Sequence, residues 1–127
     1  VSGKYTAGEV RKMLAGHGGL VAYTGSNDMR DLLKAAAEGD KEIAATVDAF
    51  HYQIGKEVGA MAAVMKGKVD QIILTGGIAY GQETVDAITD MVGWIAPITV
   101  YPGEDELLAL AQGPLRVLNG EEPARVY

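Results

Sequence analysis

Cysteine is absent from this sequence of 127 residues. Its absence excludes disulfide bonds and thiol chemistry, and it fits a protein of the reducing cytoplasm. Long apolar runs are absent as well, because charged residues or glycines interrupt every candidate segment, so we expect no membrane span. The amino end, VSGKYTAGEV, has neither the apolar core nor the cleavage pattern of a signal peptide. We therefore predict a cytoplasmic protein without a membrane partner.

Runs of Lys or Arg are also missing, and the formal net charge is −6. This acidic balance makes nucleic acid an unexpected partner, because binding to its phosphates needs clustered cations. The length allows one domain with a hydrophobic core but not two. Since the first residue is Val1, we expect that the chain is a piece of a longer protein.

What the sequence does contain is an alternation of helical and extended patterns. Apolar residues recur every three or four positions in five segments, which predicts helices at 7–15, 28–38, 41–66, 81–96 and 104–113. Short apolar and β-branched runs predict extended segments at 20–25, 69–77, 97–103 and 115–118. Strands that alternate with helices are typical of an α/β domain, here with a few parallel strands flanked by helices.

The start of three helices is predicted by capping residues. Thr6 and Glu9 have the spacing of a capping box, Ser26 or Asn27 precedes the second helix, and Asp40 precedes the long third one. Two glycines, Gly55 and Gly59, interrupt that long helix one turn apart. Either another helix packs closely there, including one from a second subunit, or the two glycines are tolerated on the surface.

The stretch QIILTGGIAYG leads from an apolar strand through glycines into a helix. A glycine turn before a helix lets a ligand approach the main chain, and the amino end of the helix favours an anion. The spacing matches neither the dinucleotide-binding fingerprint nor the P-loop. From the residues alone, a nucleotide site and a plain tight turn both remain open.

Two polar clusters stand near predicted helix starts. Ser26, Asn27, Asp28 and Arg30 either cap a helix or line a pocket for a polar ligand. Glu104, Asp105 and Glu106 either complement a helix dipole or hold Mg²⁺ through their carboxylates. His17 and His51 form no metal motif, and His51, beside Phe50 on the long helix, is expected to be packed or half exposed rather than catalytic.

Several segments together resemble one family. GKYTAGEVRKMLAGHGGLVAYTGSNDMR, then ILTGGIAYG, then VYPGEDELLALAQG are similar, in order and separation, to the carboxy-terminal part of butyrate kinases. These belong to the acetate kinase group of the sugar kinase, Hsc70 and actin superfamily. Where acetate kinases carry GIGEN, this chain reads Gly77-Ile-Ala-Tyr-Gly81, which favours the butyrate type.

The resemblance implies the reaction ATP + butanoate giving ADP + butanoyl phosphate, with butyrate or a branched short-chain acid as substrate. It implies that residues 1–127 are one domain, part of the carboxy-terminal ribonuclease H-like lobe, and inactive without the upstream part that binds the carboxylic acid. It also implies ATP/ADP and Mg²⁺ as cofactors, and the long helix suggests a homo-dimer or higher homo-oligomer. The nucleotide contacts implied are Asp28, Met29, Arg30, Gly76, Gly77, Ile78, Ala79, Tyr80 and Gly81, and the metal contacts are Asp105 and Glu106, with Asp105 preferred.

Two other hypotheses remain open at this stage. The chain is either part of such a kinase or a non-catalytic nucleotide-binding module that has no catalytic half. A third possibility is an oligomerisation domain, in which the long helix with Gly55 and Gly59 is the functional element and the glycine turn is only structural.

Overall fold

A computed structural model describes residues 3–124, except for the side chain of Glu106. The described elements are α1 (Ala7–Leu14), α2 (Leu20–Thr24), α3 (Met29–Ala37), α4 (Lys41–Val64), β1 (Ile72–Gly76), a 3₁₀ turn (Gly77–Tyr80), α5 (Gln82–Val92), β2 (Ile98–Pro102) and α6 (Glu106–Leu118). Helices and strands mix along the chain, as the sequence predicts for an α/β arrangement.

The two strands form a small parallel sheet. Ile72 lies opposite Ile98, and the pairing runs to Gly76 opposite Pro102. At the end of the sheet, Gly76 of β1 also exchanges backbone hydrogen bonds of 3.2 and 3.1 Å with Gly103, the residue after β2. Because α5 connects the two strands, this unit is a β-α-β crossover, the connection that parallel pairing requires. The predicted parallel pairing is confirmed.

One face of the sheet is covered and the other is not. Ile72 packs with Ile88 and Val92 of α5 in a buried cluster. On the opposite face Ile73 and Tyr101 are 59% and 62% exposed. The sequence predicts that β1 is a buried strand. This prediction is wrong for the face that carries Ile73, because within residues 3–124 no element covers that face.

Helix α4 connects the two halves of the core. Its start is capped as predicted, with the Asp40 carboxylate accepting from the backbone N–H groups of Glu42 and Ile43 at 3.0 Å each. Val47 joins a buried cluster with Met29 and Leu32 of α3. Further along, Ile54 and Val58 pack against the cluster beneath the sheet. One helix thus supports both α3 and the β-α-β unit.

The two glycines of α4 differ in their surroundings. A Cβ on Gly55 would lie 2.5 Å from Cε of Met91 on α5, whereas a Cβ on Gly59 would meet nothing within 4 Å. The close packing predicted at Gly55 is therefore made by α5 of the same chain. Gly59 matches the alternative of a tolerated glycine.

The extended segment predicted at 20–25 is wrong, because Leu20–Thr24 forms helix α2. Gly19 and Gly25 flank it with positive φ angles of 57° and 75°. The Thr24 hydroxyl donates to the Leu20 carbonyl at 2.8 Å, which closes the helical turn. A strand here would need a neighbouring sheet edge, and the segment instead packs against α4.

The strand predicted at Leu115–Leu118 is also wrong. Helix α6 continues through Pro114 to Leu118 and ends at Asn119, whose N–H donates to Leu115 at 2.9 Å. Pro114 removes a backbone donor from the helix and crowds the carbonyl of the preceding turn, but the sheet within residues 3–124 offers no strand with which this segment could pair instead. The capping box at α1 is confirmed, with Thr6 N–H donating to Glu9 at 2.7 Å and Glu9 N–H to Thr6 at 3.3 Å.

None of the helices described within residues 3–124 combines the length and apolar character needed to cross a membrane.

Candidate functional site

A cleft opens between the amino end of α3 and the glycine turn that follows β1. Its volume is about 810 Å³, within the range of small-molecule sites. The lining residues are Asn27, Asp28, Met29, Arg30, Leu33, Gly77, Ile78, Tyr80, Gly81 and Glu104. Two segments that the sequence singled out separately therefore form opposite walls of one cleft.

The glycine turn is shaped by backbone requirements at its first residue and by open space at its second. Gly76 has a φ angle of 85°, a left-handed conformation that glycine adopts without strain. Gly77 does not have a positive φ angle, and a Cβ built on it would meet no atom within 4 Å. The fold therefore does not require glycine at Gly77, and the missing side chain leaves cleft space open.

Tyr80 forms part of the cleft wall, and Gly103 makes room for it. A Cβ on Gly103 would lie 2.7 Å from the Tyr80 hydroxyl oxygen, closer than real side chains approach. Gly103 also has a φ angle of 102°. The Tyr80 side chain remains 72% exposed and is free to offer a ring face to a ligand.

On the opposite wall, Asp28 fixes both the helix start and the adjacent arginine. Its carboxylate accepts from the Arg30 N–H at 3.0 Å, from Nε of Arg30 at 3.0 Å and from Nη2 at 2.6 Å. Asp28 is the cap of α3, whereas the sequence favoured Ser26 or Asn27 for that role. Ser26 instead accepts from the Asp28 N–H at 3.1 Å.

This pairing shifts the pKa values of both groups. The hydrogen bonds from the Arg30 side chain and then from its backbone lower the pKa of Asp28 to about 2. The Asp28 carboxylate in turn raises the pKa of Arg30. Arg30 is a surface residue, with its side chain 89% exposed, so it stays charged and accessible at the mouth of the cleft.

Three acidic residues follow β2, and one of them, Glu104, lines the cleft. Oε1 of Glu104 lies 3.9 Å from the position of a Cβ on Gly76. Asp105 is exposed and precedes α6, and the side chain of Glu106 lies outside the described residues. Within the described part of the chain no three His, Asp or Glu side chains gather as metal ligands.

Most predicted nucleotide contacts come together in the cleft. Asp28, Met29 and Arg30 meet Gly77, Ile78, Tyr80 and Gly81 there, whereas Gly76 and the buried Ala79 are not among the lining residues. The predicted metal contact Asp105 is not among the lining residues. Asn27 and Glu104, which the sequence places in the two polar clusters, also line the cleft. Leu33 lines it as well and was not singled out, and its place one turn after Met29 on the same helix was the available signal.

The charge of the cleft limits what its side chains can bind. Of the lining residues, Arg30 is the cation, and Asp28 and Glu104 are the anions. A polyphosphate needs surplus positive charge or a bridging cation. This surface therefore suits the uncharged and ribose parts of a nucleotide better than its phosphates.

Comparison with protein families shows to which family the chain belongs. The model of the Acetokinase family matches residues 2–117, nearly the entire chain. The chain belongs to the acetokinase family. Within that family the resemblance to butyrate kinases that the motifs indicate is confirmed by the relatives described next.

The acetokinase chain is similar to butyrate kinases over almost its full length. It is 56% identical over 126 residues to Butyrate kinase 2 of Clostridium acetobutylicum and 52% identical to Butyrate kinase 1 of the same organism. It is 54% identical to Probable butyrate kinase 2 of Caldanaerobacter subterraneus subsp. tengcongensis. Each match covers 99% of this chain but only 35% to 36% of the relative. The chain thus spans about a third of the curated relatives that it matches.

Proposed function

We propose that this chain supplies the adenosine-binding wall of a short-chain fatty acid kinase that catalyses ATP + butanoate giving ADP + butanoyl phosphate. The acceptor in this proposal is butyrate or a branched short-chain acid. The observation that carries the proposal is the meeting of Asp28–Arg30 with the glycine turn in one cleft. The relatives that share about half of its residues are named as butyrate kinases, which supports the same reaction class.

The two walls suit the two parts of adenosine. Tyr80 and Ile78, 72% and 43% exposed, offer apolar surface to a base, and Gly77 leaves the main chain open to close approach. Arg30 and Asp28 offer a donor and an acceptor for ribose hydroxyl groups. The adenosine part of ADP suits this arrangement because it is uncharged, whereas the lining, with one cation and two anions, leaves the phosphates to Mg²⁺ and to residues outside the cleft.

Catalysis should require residues outside this chain. Phosphoryl transfer depends on positioning and on neutralising the charge of the transferring group. In the described cleft Arg30 is paired with Asp28, which leaves little charge for that task. We propose that the chain is part of the carboxy-terminal ribonuclease H-like lobe of a two-lobe cytoplasmic enzyme. The carboxylic acid would then bind through upstream residues, and the 127-residue chain alone would not turn over.

Mg²⁺ would be held jointly by the nucleotide phosphates and a carboxylate. Glu104 borders the cleft, and Asp105 and Glu106 directly follow it in sequence. The ion takes oxygen ligands and keeps several waters, so one such carboxylate suffices beside the phosphates.

A homo-dimer is also part of the proposal. The packing at Gly55 does not support it, because Met91 of the same chain fills the space beside that glycine.

The proposal is tested by following backbone amide NMR signals of the chain during ADP titration, with and without Mg²⁺. We expect shifts concentrated at Gly76–Gly81 and Asp28–Arg30. Gly77→Val should abolish them, because its side chain would project into open cleft space. Gly59→Val is the matched control, since Gly59 also lacks neighbours within 4 Å but lies on α4 away from the cleft.

Two results would contradict the proposal. One is a folded sample whose signals do not respond to ADP. The other is a Gly77→Val variant that binds as the parent does. Asp105→Asn and Glu104→Gln, titrated with Mg²⁺, separate the carboxylates, since the one that holds the ion should lose the Mg²⁺-dependent gain in ADP affinity.

A further inference from the structure

A buried hydrogen bond joins α4 to α5 beneath the cleft. Nε2 of His51 and Oγ1 of Thr84 are 3.0 Å apart. His51 is 7% exposed and Thr84 is 1% exposed, and they are the buried polar residues in the described part of the chain. A buried polar pair is maintained only when both partners are satisfied, and this one is.

Thr84 is directly connected to the glycine turn. Its backbone N–H donates to the Gly81 carbonyl at 3.1 Å. Its hydroxyl oxygen lies 3.8 Å from the position that a Cβ on Gly81 would take. Since Gly81 lines the cleft, the Thr84 hydroxyl supports that wall from behind.

Helix α4 also supports the opposite wall. Met29, a cleft residue at the start of α3, packs in the same buried cluster as Val47 of α4. His51 stands one helical turn further along α4. The α3 wall is therefore held to α4 by apolar contacts. The glycine turn is held to α4 through α5, which packs on α4 with apolar contacts such as Met91 against Gly55. The hydrogen bond between His51 and Thr84 adds a directional restraint to that packing.

We propose that His51 is a positioning residue: through Thr84 it fixes the distance between the glycine turn and the Asp28–Arg30 wall, and so sets the affinity of the cleft for ADP. This inference rests on the proposed function, because it concerns the same cleft. The competing interpretation is that His51 only fills the core. The two interpretations differ in the ADP affinity expected when both polar groups are replaced together by apolar ones of similar shape. If His51 only fills the core, the affinity should recover, because no buried group is left unpaired. If His51 positions the glycine turn, the affinity should stay reduced.

The protonation state of His51 gives a second means of distinguishing them. Burial lowers the pKa of His51, and the Asp48 carboxylate opposes that effect. Asp48 and Tyr52 of α4 and Asp90 of α5 line the cavity that His51 borders. A neutral ring can accept from or donate to the Thr84 hydroxyl, and a protonated ring can still donate to it. Protonation would, however, place a charge in a buried site, which burial disfavours. Acidification should therefore loosen the packing of α4 on α5 and lower the affinity for ADP.

The test measures the ADP dissociation constant by amide NMR and the unfolding stability by urea for each variant of the 127-residue chain. Thr84→Val and His51→Leu each remove the hydrogen bond, and we expect each to weaken ADP binding by about tenfold. The double variant should lose no more ADP affinity than either single variant. It should not recover the affinity of the parent, although it leaves no buried polar group unpaired. Thr84→Ser and His51→Gln keep a hydrogen-bonding group and should stay within about threefold of the parent.

The pH profile completes the test. As the pH falls below the ordinary histidine pKa of about 6.5, the parent should lose more ADP affinity than His51→Gln does. A double variant that binds ADP as well as the parent does would overturn the positioning role, as would a pH profile unchanged in His51→Gln. A parent that is folded yet does not bind ADP would instead overturn the proposed function, and the positioning role with it.

Discussion

At the scale of single residues, the pairing of Asp28 with Arg30 is the feature with the clearest electrostatic signature. Its geometry is bidentate, with Arg30 nitrogens 3.0 and 2.6 Å from the two carboxylate oxygens. Bidentate pairs restrict both side chains more than a single contact does. The pair therefore presents a guanidinium of defined orientation at the mouth of the cleft.

Replacing Arg30 should release the carboxylate of Asp28. In the folded protein the Arg30 side chain is the largest cause of the lowered pKa of Asp28, about 2. In Arg30→Met we expect this pKa to rise towards its ordinary value of about 3.9, though not fully, because the Arg30 N–H still donates to Asp28. A carboxyl ¹³C titration measures it, with Lys34→Met, which removes another α3 cation, as the control.

The same shift predicts a pH dependence of stability. Because the folded pKa of Asp28 lies below the unfolded value, its contribution is present above about pH 4 and is lost as the pH falls through about 2. Arg30→Met should flatten this part of the stability profile. An unchanged profile, or a carboxyl signal that titrates as in the parent, would contradict the role assigned to the pair.

At the scale of elements, α4 shows how a glycine can be either required or tolerated. Gly55 is buried against Met91, while Gly59 has open space around the position of its missing Cβ. Glycine inside a helix costs about 0.5–1 kcal/mol relative to alanine. Replacing glycine by alanine should regain that free energy only where the site has room for a methyl group.

Alanine substitution at the two positions should therefore have different effects. We expect Gly59→Ala to raise the free energy of unfolding by about 0.5–1 kcal/mol. Gly55→Ala should instead lower it by about 1 kcal/mol, because Cε and Cβ of Met91 would lie 2.5 and 3.1 Å from the new methyl carbon. Urea unfolding of both variants measures the difference. Equal effects at the two positions would show that α5 does not pack on Gly55 as described.

The elements that the sequence predicts correctly have strong local signals. The capping residues Thr6 and Asp40 and the apolar period of α4 locate α1 and α4 without knowledge of any partner. The segments at 20–25 and 115–118 fail for the opposite reason. Apolar β-branched runs are compatible with a strand or a helix. Within residues 3–124 neither segment has a strand beside it to pair with, and this tertiary fact cannot be read from the local pattern.

The site was only partly predictable for a similar reason. Gly77 and Asp28 belong to local patterns that can be read along the chain, and the resemblance to butyrate kinases joins them into one hypothesis. Their meeting across a cleft depends on how α3 and α5 pack on α4, which no local pattern states. Glu104 lies in the cleft wall because the neighbouring Gly103 pairs with Gly76 at the end of β1. Sequence spacing does not reveal this contact.

At the scale of the whole molecule, apolar surface is unevenly covered. Leu107 and Leu118 of α6 are 85% and 80% exposed, and Ile73 on the open face of the sheet is 59% exposed. Helix α1 also has no buried residue. In contrast, α3 and α4 form one buried cluster, and β1 and α5 form the other, against which α4 also packs. Stability within the described chain should therefore be concentrated in these elements, with α4 common to both clusters.

Hydrogen exchange of the isolated chain should reproduce this division. Amides of α4, β1 and α5 are expected to exchange slowly, through global unfolding, because their side chains form the core. Amides of α1 and α6 should exchange at least about a hundredfold faster, since opening either helix exposes little additional apolar surface. Mass spectrometry or NMR measures the rates, and dilution is the control. Protection of α6 that equals that of α4 and disappears on dilution would mean that a second copy covers its leucines. Equal protection at every concentration would mean that α6 packs on the core, contrary to the structure described.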